Sequence, residues 1–212
     1  MDHHRLAEIC RHLPIFPLPR TVLLPGAELP LHVFEPRYRE LVAHCIAGDG
    51  VMGIATLRPG YEANYEGRPD IWPEVGVGEI VGHQPFPDGR SNIVLRYAGR
   101  VRVARELPPT HPFREIDGVL VEEDEGGLER ALVALKVLVI QLGGLSPSAA
   151  GEARRLIQLD GIDLVDALAR RLFEEPDEQR AYLGAPKLVD RVARVHARLA
   201  TYFVPRATVG ET

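Results

Sequence analysis

The chain has 212 residues, 45% of them hydrophobic, and a formal net charge of −5. That is enough apolar material for one large domain or two small ones, and the acidic balance argues against a general polyanion binder. Two cysteines make no disulfide framework, residues 1–12 lack the apolar core of a signal peptide, and no run approaches the roughly 18 apolar residues of a membrane span. A reduced, cytoplasmic setting without a membrane is therefore expected.

Residues 1–12 read as a short helical lead, with Leu6, Ile9 and Leu13 at helical spacing. His3, His4, Cys10 and His12 lie in it but fit no metal-ligand spacing, so no metal is expected. From Leu13 to Leu24 the chain is apolar and broken by Pro14, Pro17 and Pro19, which implies a strand at an edge or a start. Pro25-Gly26 is a turn signal, and Leu29 to Phe34 then alternates, with Leu29, Leu31 and Val33 on one side and Pro30, His32 and Phe34 on the other. Glu35-Pro36-Arg37 opens a helix, because a proline in the first turn loses no hydrogen bond. Tyr38, Leu41, Val42, Cys45 and Ile46 form its apolar stripe, and a strand follows from Val51 to Leu57.

Prolines and glycines between Arg58 and Pro73 exclude a regular element there, leaving a long loop with Tyr61, Tyr65 and Trp72. Trp72 either caps a core or joins a contact surface. Gly76 to Gln84 reads as a bulged strand, Pro87-Asp88-Gly89 as a turn, and Asn92 to Glu106 as a long strand. On that strand Ile93, Leu95, Tyr97, Val101 and Val103 face one way and Arg96, Arg100 and Arg102 the other, with Gly99 marking a bend. Pro108 to Arg114 reads as a connection, Val119 to Val121 as a strand, and Glu122 to Glu125 as a solvated acidic run.

Helices take over at Gly126-Gly127. Leu128 to Leu142 is apolar almost all round, which predicts burial on several sides. Further helices are expected from Ser148 to Leu159, after a cap at Asp163, between Pro176 and Gly184, and from Pro186 to Phe203, the last with Leu188, Val192, Val195, Leu199 and Phe203 inward. Strands first and helices last argue α+β, a barrel-like half over residues 1–125, a helical bundle over 126–205 and a tail over 206–212.

The run LPIFPLPRTVLLPG…LPLHVFEPRYRELV resembles the N-terminal substrate-binding domain of the Lon proteases, and is most similar to members that stand alone. The motif residues are Pro25, Gly26, Pro30, Glu35, Pro36, Arg37 and Tyr38, joined later by Asp88, Gly89 and Gly99 in PDGRSNIVL and YAGRVRV. The resemblance covers residues 13–203. It implies a PUA-like β-barrel for the first half, a small helical bundle for the second, and an architectural role for the motif residues.

A complete protease of that kind would also need a phosphate-binding loop and a serine–lysine dyad. Of the 25 basic residues only Lys136 and Lys187 are lysines, neither within Gly-Lys-Ser/Thr, and the only serines are Ser91, Ser146 and Ser148. His44-Cys45 are adjacent on a helix and point apart. No catalysis and no cofactor are therefore expected. What remains is binding, through the loop carrying Tyr61, Tyr65 and Trp72, the face carrying Arg96, Arg100 and Arg102, or a groove between barrel and helices. The expected function is a non-catalytic module for unfolded or extended polypeptide, working with a separate protease or chaperone. RNA or a small ligand is the alternative, and the acidic balance makes nucleic acid the weaker reading.

Overall fold

Apolar runs and apolar alternation build six strands in the first half of the chain: β1 (Leu13–Leu18), β2 (Glu28–Val33), β3 (Val51–Leu57), β4 (Ile71–Pro85), β5 (Ser91–Glu106) and β6 (Arg114–Leu120). The computed structural model describes residues 2–124, 126–144 and 146–203, and the chain divides into two units, residues 1–122 and 123–212. In the first unit the strand order is β2-β5-β4-β3-β1-β6, and β6 pairs again with β5. Five strands thus form a hydrogen-bonded circuit, with β2 attached to β5 outside it. Only β1 and β3 are parallel, joined through β2 and the helix α2 (Pro36–Ala47).

Each strand of the circuit contributes to one core. Leu13 and Ile15 of β1, Val51 and Ala55 of β3, Val75 and Val77 of β4, Val101 of β5 and Ile116 of β6 meet, and Leu6 and Cys10 close the cluster. Leu6 belongs to the lead helix α1 (His3–Ile9), capped by the Asp2 carboxylate accepting from Arg5 N–H. A second core gathers the opposite faces: Phe16, Met52, Ile54, Ile93 and Leu95 from the strands, and Tyr38, Leu41, Val42 and Cys45 from α2. Every residue of β3 is buried because it serves both cores, which suits its unbroken apolar sequence.

The glycines of β4 have a specific occupant. Leu23, on the segment between β1 and β2, lies across Gly76 and Gly78. A Cβ at Gly76 would stand 2.4 Å from the Leu23 carbonyl oxygen, and one at Gly78 would stand 2.9 Å from Leu23 Cδ2. The register of β4 against β5 slips between Val77 and Gly78 and again between Ile80 and Gly82, as a bulged strand requires. Pro25-Gly26 turns with Gly26 at φ 67° and Ala27 N–H donating to Leu24 O. Gly89 closes the β4–β5 hairpin at φ 84°, where the Asp88 carboxylate accepts from Arg90 N–H.

Several elements differ from the sequence reading. The first strand stops at Leu18, since the chain must leave the sheet for Leu23 to reach β4. Residues 58–73 are not without regular structure: Tyr61–Asn64 is a 3-10 turn, and Ile71, Trp72 and Pro73 begin β4. Strand β6 starts at Arg114, inside the expected connection, because that side chain is buried and bonded. Ile46 is 44% exposed, beyond the edge of the α2 stripe.

The second unit holds α3 (Leu128–Gly143), α4 (Pro147–Leu156), α5 (Gly161–Leu172), α6 (Pro176–Leu183) and α7 (Leu188–Ala200). Its core is built on Leu135, Val139, Leu156, Leu164, Val165, Leu168, Val192, Val195 and Leu199. Buried Arg191 donates to Glu123 and lies over the Tyr182 ring, and Tyr182 O–H donates to Asp166. The acidic run is therefore not simply solvated: Glu123 holds Arg191, and the Asp124 carbonyl accepts from Leu188 N–H.

Helix α3 is the clearest departure. Its apolar surface exceeds what its neighbours cover, and Val133, Val137 and Ile140 are exposed at 65%, 49% and 55%. Asp160 occupies the position before α5, with Asp163 in the first turn. The last helix begins at Leu188, and Phe203 is 41% exposed in a 3-10 turn beyond it. The tail expected over 206–212 lies outside the described residues.

Gly76→Ala is expected to lower stability by about 1–3 kcal/mol, since overpacking meets backbone rather than a flexible side chain. Leu23→Ala, which leaves a void over the same glycines, should cost about 2–5 kcal/mol. Urea midpoints of the two variants and of the double variant check this. Contact between the two sites predicts a double loss that departs from the sum of the single ones.

Candidate functional site

The motif at the start of α2 and the aromatic loop, distant in sequence, form one cluster. Pro36 occupies the first turn of α2, and Glu35 precedes it in extended conformation. Arg37 then turns back: its Nε donates to Glu35 Oε2 at 3.1 Å, and its Nη1 reaches the Tyr65 carbonyl at 3.3 Å and the Glu66 carbonyl at 3.5 Å. Tyr65 O–H donates to the other oxygen of Glu35 at 3.1 Å. The guanidinium lies between the rings of Tyr38 and Tyr65, 4.7 and 5.1 Å from their centroids. Tyr38 points inward, 4% exposed and stacked on Phe16 at 4.1 Å, with its hydroxyl 3.5 Å from the Pro17 carbonyl. Burial pushes the Tyr38 phenol well above the ordinary range, so it stays neutral.

Of the loop aromatics, Tyr61 meets Tyr65 edge-on at 6.2 Å, and Trp72 on β4 carries Arg58 over its face at 4.7 Å. All three are half-buried. Next to them, Arg68 and Arg114 converge on Glu106. Arg114 binds both of its oxygens at 2.7 and 2.9 Å and donates to Pro69 O at 2.8 Å, while Arg68 Nε donates to Glu106 Oε1 at 2.8 Å. These guanidiniums hold the Glu106 carboxyl below its usual range against the opposing effect of burial. A cleft of about 210 Å³ opens here, between Pro17 and Tyr38 on one side and residues 66–68 and 109–114 on the other.

The arginine face expected on β5 is not a cationic strip. Arg96 pairs with Glu28 at 3.1 Å and Arg102 with Glu74 at 3.5 Å, both across strands. Arg100 is 3% exposed, a correction to the outward orientation read from alternation. The register slips between Val77 and Gly78, where Gly99 and Tyr97 are the partners and Ala98 is passed over; Arg100 lies just past that bulge, while Val101 stays in the core and Arg102 stays outward.

A different surface was missed. Strand β2 pairs with β5 along one side only among the described residues, leaving a sheet edge. At its end Phe34 is 59% exposed; His32 lies 6.1 Å from both Phe34 and Phe86, and its Nδ1 is 2.7 Å from Asn92 Oδ1. The alternation from Leu29 to Phe34 placed Pro30, His32 and Phe34 on one side, but periodicity alone does not say that this side stays uncovered. Pro30 suits an edge, where its missing N–H faces away from the partner strand.

Nucleophiles are poorly placed. Ser91 is buried, and the Ser146 hydroxyl caps α4 by accepting from Ala149 N–H. Burial pushes the Cys10 thiol up to about 11 and the Cys45 thiol to about 12. Among the described residues no group of three or more His, Cys, Asp or Glu is placed to hold a metal ion, and no helix is long and apolar enough to cross a membrane.

Two measurements check these placements. Tyr38→Ala is expected to cost about 3–5 kcal/mol as a large buried truncation. Tyr65→Phe, which removes one part-buried bond to Glu35, should cost only about 1–2 kcal/mol while speeding amide exchange over residues 61–67. Both thiols should resist disulfide exchange in the native state. Their folded values exceed the unfolded value of 9.0, so the folded form holds its protons longer. The stability they contribute is therefore complete below pH 9 and is lost as pH rises toward about 12, read as a falling urea midpoint.

The comparisons with known proteins agree over nearly the whole chain. The family model described as the ATP-dependent protease La (LON) substrate-binding domain matches residues 12–201. Lon protease 2 of Myxococcus xanthus is 29% identical over 195 residues, which is 89% of this chain and 23% of that protein. Lon protease of Anaeromyxobacter dehalogenans is 27% identical over 190 residues, covering 86% of this chain and 22% of that one. The chain thus spans less than a quarter of these relatives. Among solved structures, a Lon N-terminal domain protein from Xanthomonas campestris superposes with TM-score 0.64 at 26% identity, covering 88% of this chain and 97% of that one. The N-terminal domain of Mycobacterium avium complex Lon protease gives TM-score 0.69 at 16% identity, covering 89% and 98%, a likeness of fold. With a family model matching from the residue before β1 to the end of α7, this chain belongs to the Lon protease substrate-binding domain family.

Proposed function

We propose that this chain is a non-catalytic module that binds unfolded or extended polypeptide, with the β2 edge and the adjoining aromatics as the contact surface. The observation that carries this reading is Phe34, a large apolar side chain 59% exposed at the end of a strand that is paired along one side only among the described residues. An extended segment laid along β2 gains main-chain hydrogen bonds from the edge and covers Phe34 and Phe86. Pro30 shortens the ladder such a segment can form, so apolar contact supplies most of the affinity and binding stays reversible. The five-strand circuit is, in this reading, the PUA-like β-barrel of the family, and residues 126–205 its helical bundle. The module presents polypeptide to a separate protease or chaperone in the cytoplasm and uses no cofactor.

The loop with Tyr61, Tyr65 and Trp72 forms a second wall. Its aromatics are held by Glu35, Arg37 and Arg58, so it offers a rigid face and needs no ordering on contact. An RNA-binding reading is weakened by the pairing of Arg96 with Glu28 and Arg102 with Glu74.

Fluorescence anisotropy with a labelled, reduced and carboxymethylated protein tests the proposal. Binding should persist as salt is raised, because apolar contacts are not screened, whereas phosphate contacts weaken steeply. Phe34→Ser should weaken binding about tenfold or more, as expected for losing a buried aromatic contact, with an unchanged thermal midpoint. Full affinity in a folded Phe34→Ser variant removes the surface from the proposal, and absence of binding by the parent chain removes the function. ATP-dependent casein cleavage by the homogeneous chain, abolished by changing one serine, would overturn the non-catalytic reading.

A further inference from the structure

The cleft beside α2 carries its own chemistry. At about 210 Å³ it is smaller than the roughly 300–1,000 Å³ of sites for cofactors and drug-sized molecules, and it suits a single amino-acid residue. One wall is apolar and rigid. His111 and Phe113 stack at 4.7 Å with their planes 4° apart, and Pro17 and Tyr38 stand opposite.

The charges around the cleft are unevenly distributed. Arg68 and Arg114, which both line it, share a single carboxylate, Glu106, which leaves one positive charge in excess. Arg114 is immobile: its side chain is only 9% exposed, and it is fixed by Glu106 and the Pro69 carbonyl. Arg68 is more open, at 34%, and among the described residues it bonds through Nε and Nη2 only, so Nη1 has donors to offer. Glu35 and Glu66 both act on the third arginine of the cleft, Arg37, so the excess beside it is negative. Glu66 lines the cleft itself. An occupant that fits offers a carboxylate to Arg68 and Arg114, an N–H donor to Glu66 and an apolar body to His111 and Phe113. The last residue of a polypeptide has that pattern, and guanidinium forks are suited to carboxylates.

We propose that this cleft binds the C-terminal residue of an extended polypeptide, with its carboxylate against Arg68 and Arg114, its N–H toward Glu66 and an apolar side chain against His111 and Phe113. The inference rests on the polypeptide-binding reading and deepens it. The β2 edge would engage the body of a chain, and the cleft would read its end.

The test uses two N-terminally labelled decapeptides ending in phenylalanine, identical except that one is a free acid and the other a C-terminal amide. By anisotropy with the full chain, the free acid should bind at least about tenfold more tightly, the range of a charge-assisted hydrogen bond. Arg68→Gln, checked for fold by its thermal midpoint, should bring the free acid down to the affinity of the amide. In amide-resolved spectra of the parent chain, the free acid should shift signals from residues 66–68 and 111–114. That readout does not depend on any variant folding. Equal affinity for acid and amide, with carboxymethylated protein still bound, would overturn the cleft assignment and leave the general reading standing. Failure of all three to bind would overturn both. Displacement of the free-acid peptide by equimolar free phenylalanine would assign the cleft to an amino acid rather than to a polypeptide end.

Discussion

Strand β5 has to serve three partners, and the first unit depends on how it does so. Residues 91–96 pair with β2 on one side, 101–106 pair with β6, and β4 runs along 91–102 on the other side. A straight strand would keep one neighbour along each edge. The bulge at Ala98 and the missing side chain at Gly99 let β5 change neighbours halfway, since a Cβ at Gly99 would stand 3.0 Å from Leu6 Cδ2 and 3.3 Å from Leu120 Cδ1. The change of neighbour closes the strand circuit on α1 and leaves β2 as an edge. It also carries Glu106 to the position where Arg68 and Arg114 meet it.

The motif residues of the family divide by what they hold. Pro36 and Tyr38 set the start and the depth of α2: the proline suits the first turn, and the phenol ring fills the core against Phe16. Glu35 and Arg37 face outward and fasten residues 65–66 to that helix. Each bond is part-exposed and individually weak, but together they place a proline- and glycine-rich loop against a fixed point. Both proposed contact regions are therefore rigid before a ligand arrives, one at the edge of β2 and one in the cleft behind α2. A rigid surface avoids the entropy cost of ordering a loop around each new polypeptide, which suits a binder of chains with no common sequence.

Much of this was legible beforehand, because it depends on local rules. The α2 start at Pro36, the stop near Gly48, the inward Tyr38, the β4–β5 hairpin at Asp88-Gly89 and the strand-then-helix order follow from proline geometry, positive-φ glycines and apolar spacing. The alternation that placed Arg96 and Arg102 outward also worked, on either side of the bulge. Arg100 failed because the bulge interrupts the alternation just before it, and no local signal says which residue is skipped. Leu128 to Leu142 failed for a related reason. An apolar surface states what could be covered, while coverage depends on how many neighbours arrive, and Val133, Val137 and Ile140 are left exposed.

The sequence by itself thus determined the elements, the family and the lack of a phosphate loop, all properties of residues near one another in the chain. Only the tertiary structure decided the candidate site. Glu35 and Tyr65 lie thirty residues apart, Arg68 and Glu106 thirty-eight, and Leu23 and Gly76 more than fifty, yet each pair is in contact. Those meetings are long-range properties that depend on how strands and loops distant in sequence come together in the whole sheet.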